Sequence, residues 1–329
     1  MGSPSVGQIQ VPTTLMTLTL QYKPKGLIGE QVAPIVPVPS PEMKILKYTK
    51  ANLFRLQDQD LFRNEGAERK RFSFDIQTTS ANPRQVGLEW AVTDELLDIT
   101  SMPGQLPLQP QIDAVQHMCT RIDEWKEIQI ANTIYGNIWV DGTTGGSAPS
   151  AGNGGWVLDT TANSIIQDVF NAKVAVWQQS NEIPNVFVID YPTFIAQQTN
   201  PNMSDKIKYT QISITTASLM AEVFQIDELL VGRNLISKSN RNVLGTPPTF
   251  TSVWNPSGHG NGFLFLRNPP GLRTLSALFQ FRLPYMGSLR LIRAYREERV
   301  SSVIYQITEQ VDIAPVATDV GYAWARTAS

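Results

Sequence analysis

One helical pattern, running without interruption from Leu106 to Gly136, limits what this chain can fold into more than any other stretch of it. Pro107 and Pro110 suit a helix's first turn, where the missing N–H has no partner to lose, and Gly136 supplies a stop just past the end. Between them Ile112, Val115, Met118, Cys119, Ile122, Trp125, Ile128, Ala131 and Ile134 recur at three- and four-residue steps. Asp113, Arg121, Asp123, Glu124, Lys126 and Glu127 occupy much of the remaining circumference. At about 1.5 Å per residue such a helix is ~35 Å long, well above the globular average, and so predicts a beam across which other segments lie.

A chain of 329 residues with 42% hydrophobic content can bury a substantial core as one large domain or two medium ones. Its 27 basic and 29 acidic residues nearly cancel, which excludes a general polyanion binder and leaves only local or weak nucleic-acid contact. The single cysteine, Cys119, excludes an intrachain disulfide and falls on the apolar helix face, where a small core residue is expected and not a nucleophile. The first 20 residues have no basic start followed by an apolar run, and no segment approaches the length of apolar chain that spans a bilayer. These features predict a soluble protein of a reducing interior.

Residues 1–41 lack the periodicity of a packed domain. In VAPIVPVPSP, residues 32–41, four prolines stand among aliphatic residues, which favours an extended strand that must lie on something. Two supports are open to it, its own domain or a neighbouring subunit. Alternation then marks strands at Lys44–Thr49 and Arg71–Gln77, the second placing Phe72, Phe74 and Ile76 on one face. With polar residues 58–70 between them, they predict a long hairpin whose apolar face needs cover. Over 82–100 the spacing of Trp90, Leu96 and Leu97 predicts a short helix capped by Thr93 ahead of Asp94 and Glu95. DGTTGGSAPSAGNGG, residues 141–155, reads as a flexible surface loop. Beyond it come a helix over Thr161–Ser180, a buried strand Val186–Ile189, and a helix Tyr191–Gln198 capped by Asp190. A helix Thr216–Phe224 and a strand Glu228–Val231 complete this α/β segment. Strands are predicted at 262–266, 280–284, 289–295, 300–308 and 322–326.

No reactive constellation emerges. The two histidines, His117 and His259, have no ligand spacing, so no metal site is predicted. There is no G-x-S-x-G elbow, and the glycine-rich loop lacks the lysine and hydroxyl of a phosphate cradle. Gly258, Gly260 and Gly262 alternate ahead of a strand, whereas a dinucleotide fingerprint follows one. Acid pairs such as Asp227 with Glu228 are ordinary solvated surface. The expectation is therefore no catalytic residue, no cofactor and no enzyme, in a chain whose arm, hairpin and long helix offer surface to partners.

The order of arm, hairpin, long helix, α/β segment and returning strands resembles the major capsid proteins of tailed double-stranded DNA phages, the α+β fold named after phage Hong Kong 97 and shared with encapsulins. Three phrases carry the resemblance. VFVIDYPTFIAQQTNPNMSDKIKYT, residues 186–210, is similar to the family's strand, helix and "P-x-x-x-D-x-I-K-Y" phrase, here Pro201, Asp205, Ile207, Lys208 and Tyr209. VFQIDELLVGRN, residues 223–234, resembles its "V-G-x-A" element, with Arg233 and Asn234 departing from the usual small residue. Residues 290–325 resemble two closing strands that end in a Gly-Tyr pair, Gly321 and Tyr322.

The resemblance implies an N-terminal arm (1–42), an extended loop (43–95), a peripheral domain (96–158) with its spine helix at 106–136, an axial domain (159–286), and returning peripheral strands (287–329). It implies a coat protein that assembles with itself into pentamers and hexamers of an icosahedral head around double-stranded DNA held by weak contacts. An encapsulin-like compartment is the alternative within the fold. A separate scaffolding protein is expected, because no charged helical stretch precedes the arm and Met1 suggests an unprocessed chain. A portal completes the expected partners, a decoration protein is left open, and assembly is expected in the host cytoplasm with residence in the virion. Noncovalent closure is expected, since no Lys and Asn crosslinking pair can be placed. Candidate intersubunit contacts are Ile35 and Val36 of the arm and Phe72 and Phe74 of the loop, with Arg69, Lys70 and Arg71 facing Asp123, Glu124 and Glu127 on a neighbour's spine helix.

Overall fold

The computed structural model describes residues 8–9, 26–48, 65–66, 68, 76–101, 109–143, 146–149, 155–158, 164–207, 216–237, 250–255, 260–271 and 275–325. The first half comprises β1 (Gln8–Ile9), α1 (Gly29–Val32), β2 (Ile35–Pro37), β3 (Met43–Tyr48), β4 (Ile76–Ala81), β5 (Arg84–Thr93), α2 (Asp94–Ser101) and α3 (Pro110–Gly136). Then come α4 (Gly155–Leu158), α5 (Ser164–Ser180), β6 (Val186–Asp190), α6 (Tyr191–Gln198), α7 (Pro201–Ile207), α8 (Ala217–Phe224) and β7 (Glu228–Gly232). The chain closes with β8 (Leu235–Ser237), β9 (Phe250–Ser252), β10 (Gly262–Phe265), β11 (Leu278–Arg282), β12 (Arg290–Glu297), β13 (Ser302–Pro315) and β14 (Gly321–Trp324). No described helix is long and apolar enough to cross a membrane.

Two sheets share one beam. The larger has six strands in the order β1-β12-β13-β11-β2, with β5 also on β13; the smaller has the order β14-β10-β6-β7. The long helix α3 begins at Pro110, as the fixed φ of a first-turn proline allows, while Pro107 lies outside the described residues. Its first half packs Ala114, Val115, Met118, Cys119 and Ile122 against Val92, Ile292, Ala294, Tyr305 and Ile307 of the larger sheet. Its last turns pack Ile130, Ala131 and Ile134 with Val186, Val188, Phe263 and Phe265 of the smaller. The other face of the smaller sheet presents Phe187, Ile189, Leu264 and Trp324 to α5, α6 and α8.

Serving two sheets changes the expected stripe. Trp125, predicted on the apolar face, is 37% exposed, Ile130 is fully buried, and Lys126 and Glu127, predicted on the solvated side, are buried between the two apolar stretches. A straight helix gains ~100° per residue, so a stripe aimed at one sheet drifts away from it, and a second sheet meets a new face.

The hairpin stands, as β3 antiparallel to β4 with Tyr48 opposite Ile76; of the predicted second strand Arg71–Gln77, residues 71–75 lie outside the described residues, and β4 continues to Ala81. Thr93 caps α2 through a bond from the Leu96 N–H to Oγ1 at 3.4 Å. The stretch before it is no helix but the ten-residue strand β5, registered on β13 from Arg84 opposite Val311 to Thr93 opposite Ser302. Val86, Leu88, Trp90 and Val92 alternate there with period two, which suits a strand. The loop after Val140 is tied down at its start, because the Ser147 N–H donates to Ala323 O and the Ala325 N–H to Ser147 O. β11 pairs with β13 in the larger sheet, and β14, at the end of the described chain, pairs with β10 in the smaller.

Candidate assembly site

The arm uses its prolines to run extended along its own subunit. β2 lies parallel to β11, pairing Ile35 with Gln280 and Val36 with Phe281, and a proline at Pro37 is tolerated because β2 is an edge strand. Val36 and Val38 are buried with Ala81, Phe279, Phe281 and Val316, so Val36 contributes to the subunit's own core. This decides between the two supports read from the sequence for this stretch.

Glu127 is the anchor. Its Oε2 accepts from the Ile28 N–H at 3.1 Å and its Oε1 from the Trp254 Nε1–H at 2.6 Å, which fastens the arm and the segment after β9 to the middle of α3. No cation faces it in an ion pair among the described residues, and burial pushes its carboxyl up to about 7, against the pull of the Trp254, Ile28 and Gly29 donors. Arg282 adds a second tie, an ion pair with Glu30 at 3.1 Å.

One turn away is a closed charge cluster. Asp123 pairs with Lys126 and with Arg290, each at 2.5 Å; Lys126 also reaches Glu309 at 3.2 Å, and Arg290 bonds Glu309 through Nε. Burial alone would raise Glu309, but Lys126, Arg290 and Arg282 hold its carboxyl below the usual range. Burial, reinforced by Arg282, lowers Lys126. The cluster binds α3 to β12 and β13 from inside.

The acidic set expected on the spine's outer face therefore divides. Asp123 and Glu127 turn inward, while Glu124 is partly exposed and pairs with Arg121 at 3.2 Å. A helix with a sheet on each side has less outside than its charge pattern suggests. Arg69, Lys70, Arg71, Phe72 and Phe74 lie outside the described residues. The exposed surface of this region instead carries Leu88, Trp90 and Trp125, and Trp90 stacks on His117 with centroids 5.9 Å apart. Trp90 was legible as an aromatic in the sequence, though not as an outer-strand residue. Among the described residues no cluster of three or more His, Cys, Asp or Glu could hold a metal.

In the smaller sheet Asp190 repeats the anchoring pattern. It is fully buried and accepts from Thr193 N–H and Oγ1–H, Asn255 Nδ2–H and Asn261 N–H. Burial raises its pKa, against these four donors. The carboxylate both caps α6 and holds the strand β10 segment beside it.

The fold as a whole is similar to solved structures over nearly the full length of the chain. A phage-related protein from Bordetella bronchiseptica superposes with a TM-score of 0.70 at 20% identity, covering 97% of both chains. The capsid of cyanophage P-SCSP1u does so at 0.59 and 11% identity, over 100% of this chain and 93% of that one. The fold is the Hong Kong 97-like capsid fold. In sequence, the major capsid protein of Burkholderia phage BcepMu is 25% identical over 251 residues, 74% of this chain and 73% of that protein. No protein-family model matches the chain.

Proposed function

We propose that this chain is a major capsid protein: many copies form pentamers and hexamers of an icosahedral phage head that encloses double-stranded DNA. The observation that carries the reading is the sequence relation to the BcepMu major capsid protein over about three-quarters of both chains, joined to a capsid fold along nearly the whole length. The role is structural and the residence is the virion, with assembly in the host cytoplasm. On this reading the smaller sheet with its helices is the axial domain, the larger sheet and α3 form the peripheral domain, and the β3–β4 hairpin is the base of a loop that reaches a neighbour. A separate scaffolding protein and a portal complete the assembly, and closure is noncovalent.

The anchors support this division of labour. Arm, helix and sheets are fixed within the subunit by Glu127, the Asp123 cluster and Asp190, so the contacts between copies fall to side chains left outside. Glu124 is the remaining candidate of the acidic set for Arg69, Lys70 and Arg71 of a neighbour. Its charge reversal, Glu124→Lys, is expected to slow assembly and leave subunit unfolding unchanged; unaltered assembly would remove that contact.

The test is content. Particles built from this chain in a phage lysate should hold DNA that survives external nuclease at genome length. Particles that hold a protein cargo and no DNA would favour the compartment reading, and free chain with no particles would overturn both.

A further inference from the structure

The smaller sheet leaves apolar surface bare at two separate places. Helix α5 buries Ile165, Ile166, Val169, Ala172 and Val176, yet Val174 and Trp177, three residues apart on its other face, are each 51% exposed. The apolar run continues beyond the helix to Ile183, 62% exposed. Elsewhere, β7, an edge strand of the sheet, leads into the two-stranded ribbon of β8 and β9. Leu235 pairs with Ser252 and Phe250 with Ser237, so Leu235 and Phe250 lie diagonally on one ribbon face, 57% and 59% exposed.

The two places differ in form and in charge. The helical one packs beside β10 and β14 and has Glu182 next to it in sequence; the ribbon one extends from β7 and has Arg233 two residues before Leu235. Arg233 lies over the Tyr191 ring at 5.5 Å, and neither Arg233 nor Glu182 is in an ion pair among the described residues. Two unlike patches at separate places on one subunit, with opposite charges beside them, suit a head-to-tail contact, which closes into a ring where the rotation between copies allows it; a two-fold contact would need one patch that complements itself.

We infer that the Val174, Trp177 and Ile183 face of one copy receives the Leu235 and Phe250 ribbon face of the next, with Arg233 meeting Glu182, and that this contact closes the capsomer ring. The inference rests on the shell reading and supplies the side chains of one of its contacts. An aromatic anchor such as Trp177 at the centre of a small interface carries a disproportionate share of its energy.

The experiment uses the full chain, with the Val174→Cys and Phe250→Cys variants separately and combined, assembled and then oxidised; Cys119 is buried and stays out of the reaction. The double variant should give a disulfide ladder that stops at the pentamer and hexamer, and each single variant should give no crosslink. Trp177→Asp should lower the yield of sedimentable particles by about tenfold or more, the effect of roughly 1.4 kcal/mol at a contact, with the thermal unfolding of the free subunit unchanged. Shells that form with no ladder, or a single variant that crosslinks into dimers, would overturn the ring contact and leave the shell reading intact. A wild-type chain that never assembles would overturn both.

Discussion

The two sheets are held to the same helix by different means. Along the larger sheet, the apolar packing of α3 is joined by a buried charge network, with Asp123, Lys126, Arg290 and Glu309 in mutual contact; along the smaller, Ile130, Ala131 and Ile134 pack against Val188, Phe263 and Phe265 with no such network among the described residues. Apolar packing is tolerant, because losing one methylene forfeits only about 1 kcal/mol. A buried charge network is intolerant, because removing one member strands the rest in a medium that solvates them poorly. The larger sheet is thus fixed in one register on the spine, while the smaller is joined through contacts that permit small adjustments.

The sharpest way to break this comparison is Glu309→Ala, which leaves two buried cations, Lys126 and Arg290, with Asp123 as their shared anion. It should cost about 3–5 kcal/mol of subunit stability in urea denaturation, several times the cost of Ile134→Val where α3 meets the smaller sheet, about 1 kcal/mol. Equal losses would erase the distinction.

Gly232→Ala probes the apolar side next. A Cβ at Gly232 would lie 2.3 Å from Trp254 Cδ1 and 2.4 Å from Cγ, so the indole must move, and with it the N–H that Glu127 accepts. The expected loss is about 1–3 kcal/mol. Hydrogen exchange at the Ile28 amide should quicken, since the arm shares that carboxylate. Thr216→Ala removes the cap of α8, whose Oγ1 accepts from the Leu219 N–H at 3.4 Å, and should cost about 1 kcal/mol by the same denaturation.

A separate effect concerns pH. Glu127 has a folded pKa of about 7 against an ordinary 4.5, so the native state holds a proton that the unfolded chain releases. Its contribution is fully present below about 4.5 and is lost as pH rises through about 7. Glu127→Gln, which stays neutral at some cost in acceptor strength, should flatten the fall in stability between those values. A wild type and a variant with parallel pH profiles would show that the buried carboxyl is not the titrating group.

Much of this was legible in the chain. Asp190 ahead of Tyr191-Pro192, Thr216 ahead of α8 and Thr93 ahead of Asp94 are hydroxyl or carboxyl caps whose signals are local, and each caps the helix that its position announces. β5 was hidden because its alternating Val86, Leu88, Trp90 and Val92 run straight into the helical Leu96 and Leu97, and a short window mixes the two periods. The inward turn of Lys126 and Glu127 was not legible at all. A charged pair on a helix reads as solvated until Glu309, 183 residues away from Lys126, and Trp254, 127 residues away from Glu127, supply the partners that make burial possible. The arm's extended form followed from its prolines, whereas its support depended on β11, which only the tertiary fold brings alongside.

The most direct measurement on the whole account is the size of what the purified chain forms, by light scattering and negative-stain microscopy, alone and co-expressed with its neighbouring genes. The account predicts capsomer rings or closed shells tens of nanometres across or less, built from this chain. A monodisperse monomer under every condition would contradict it.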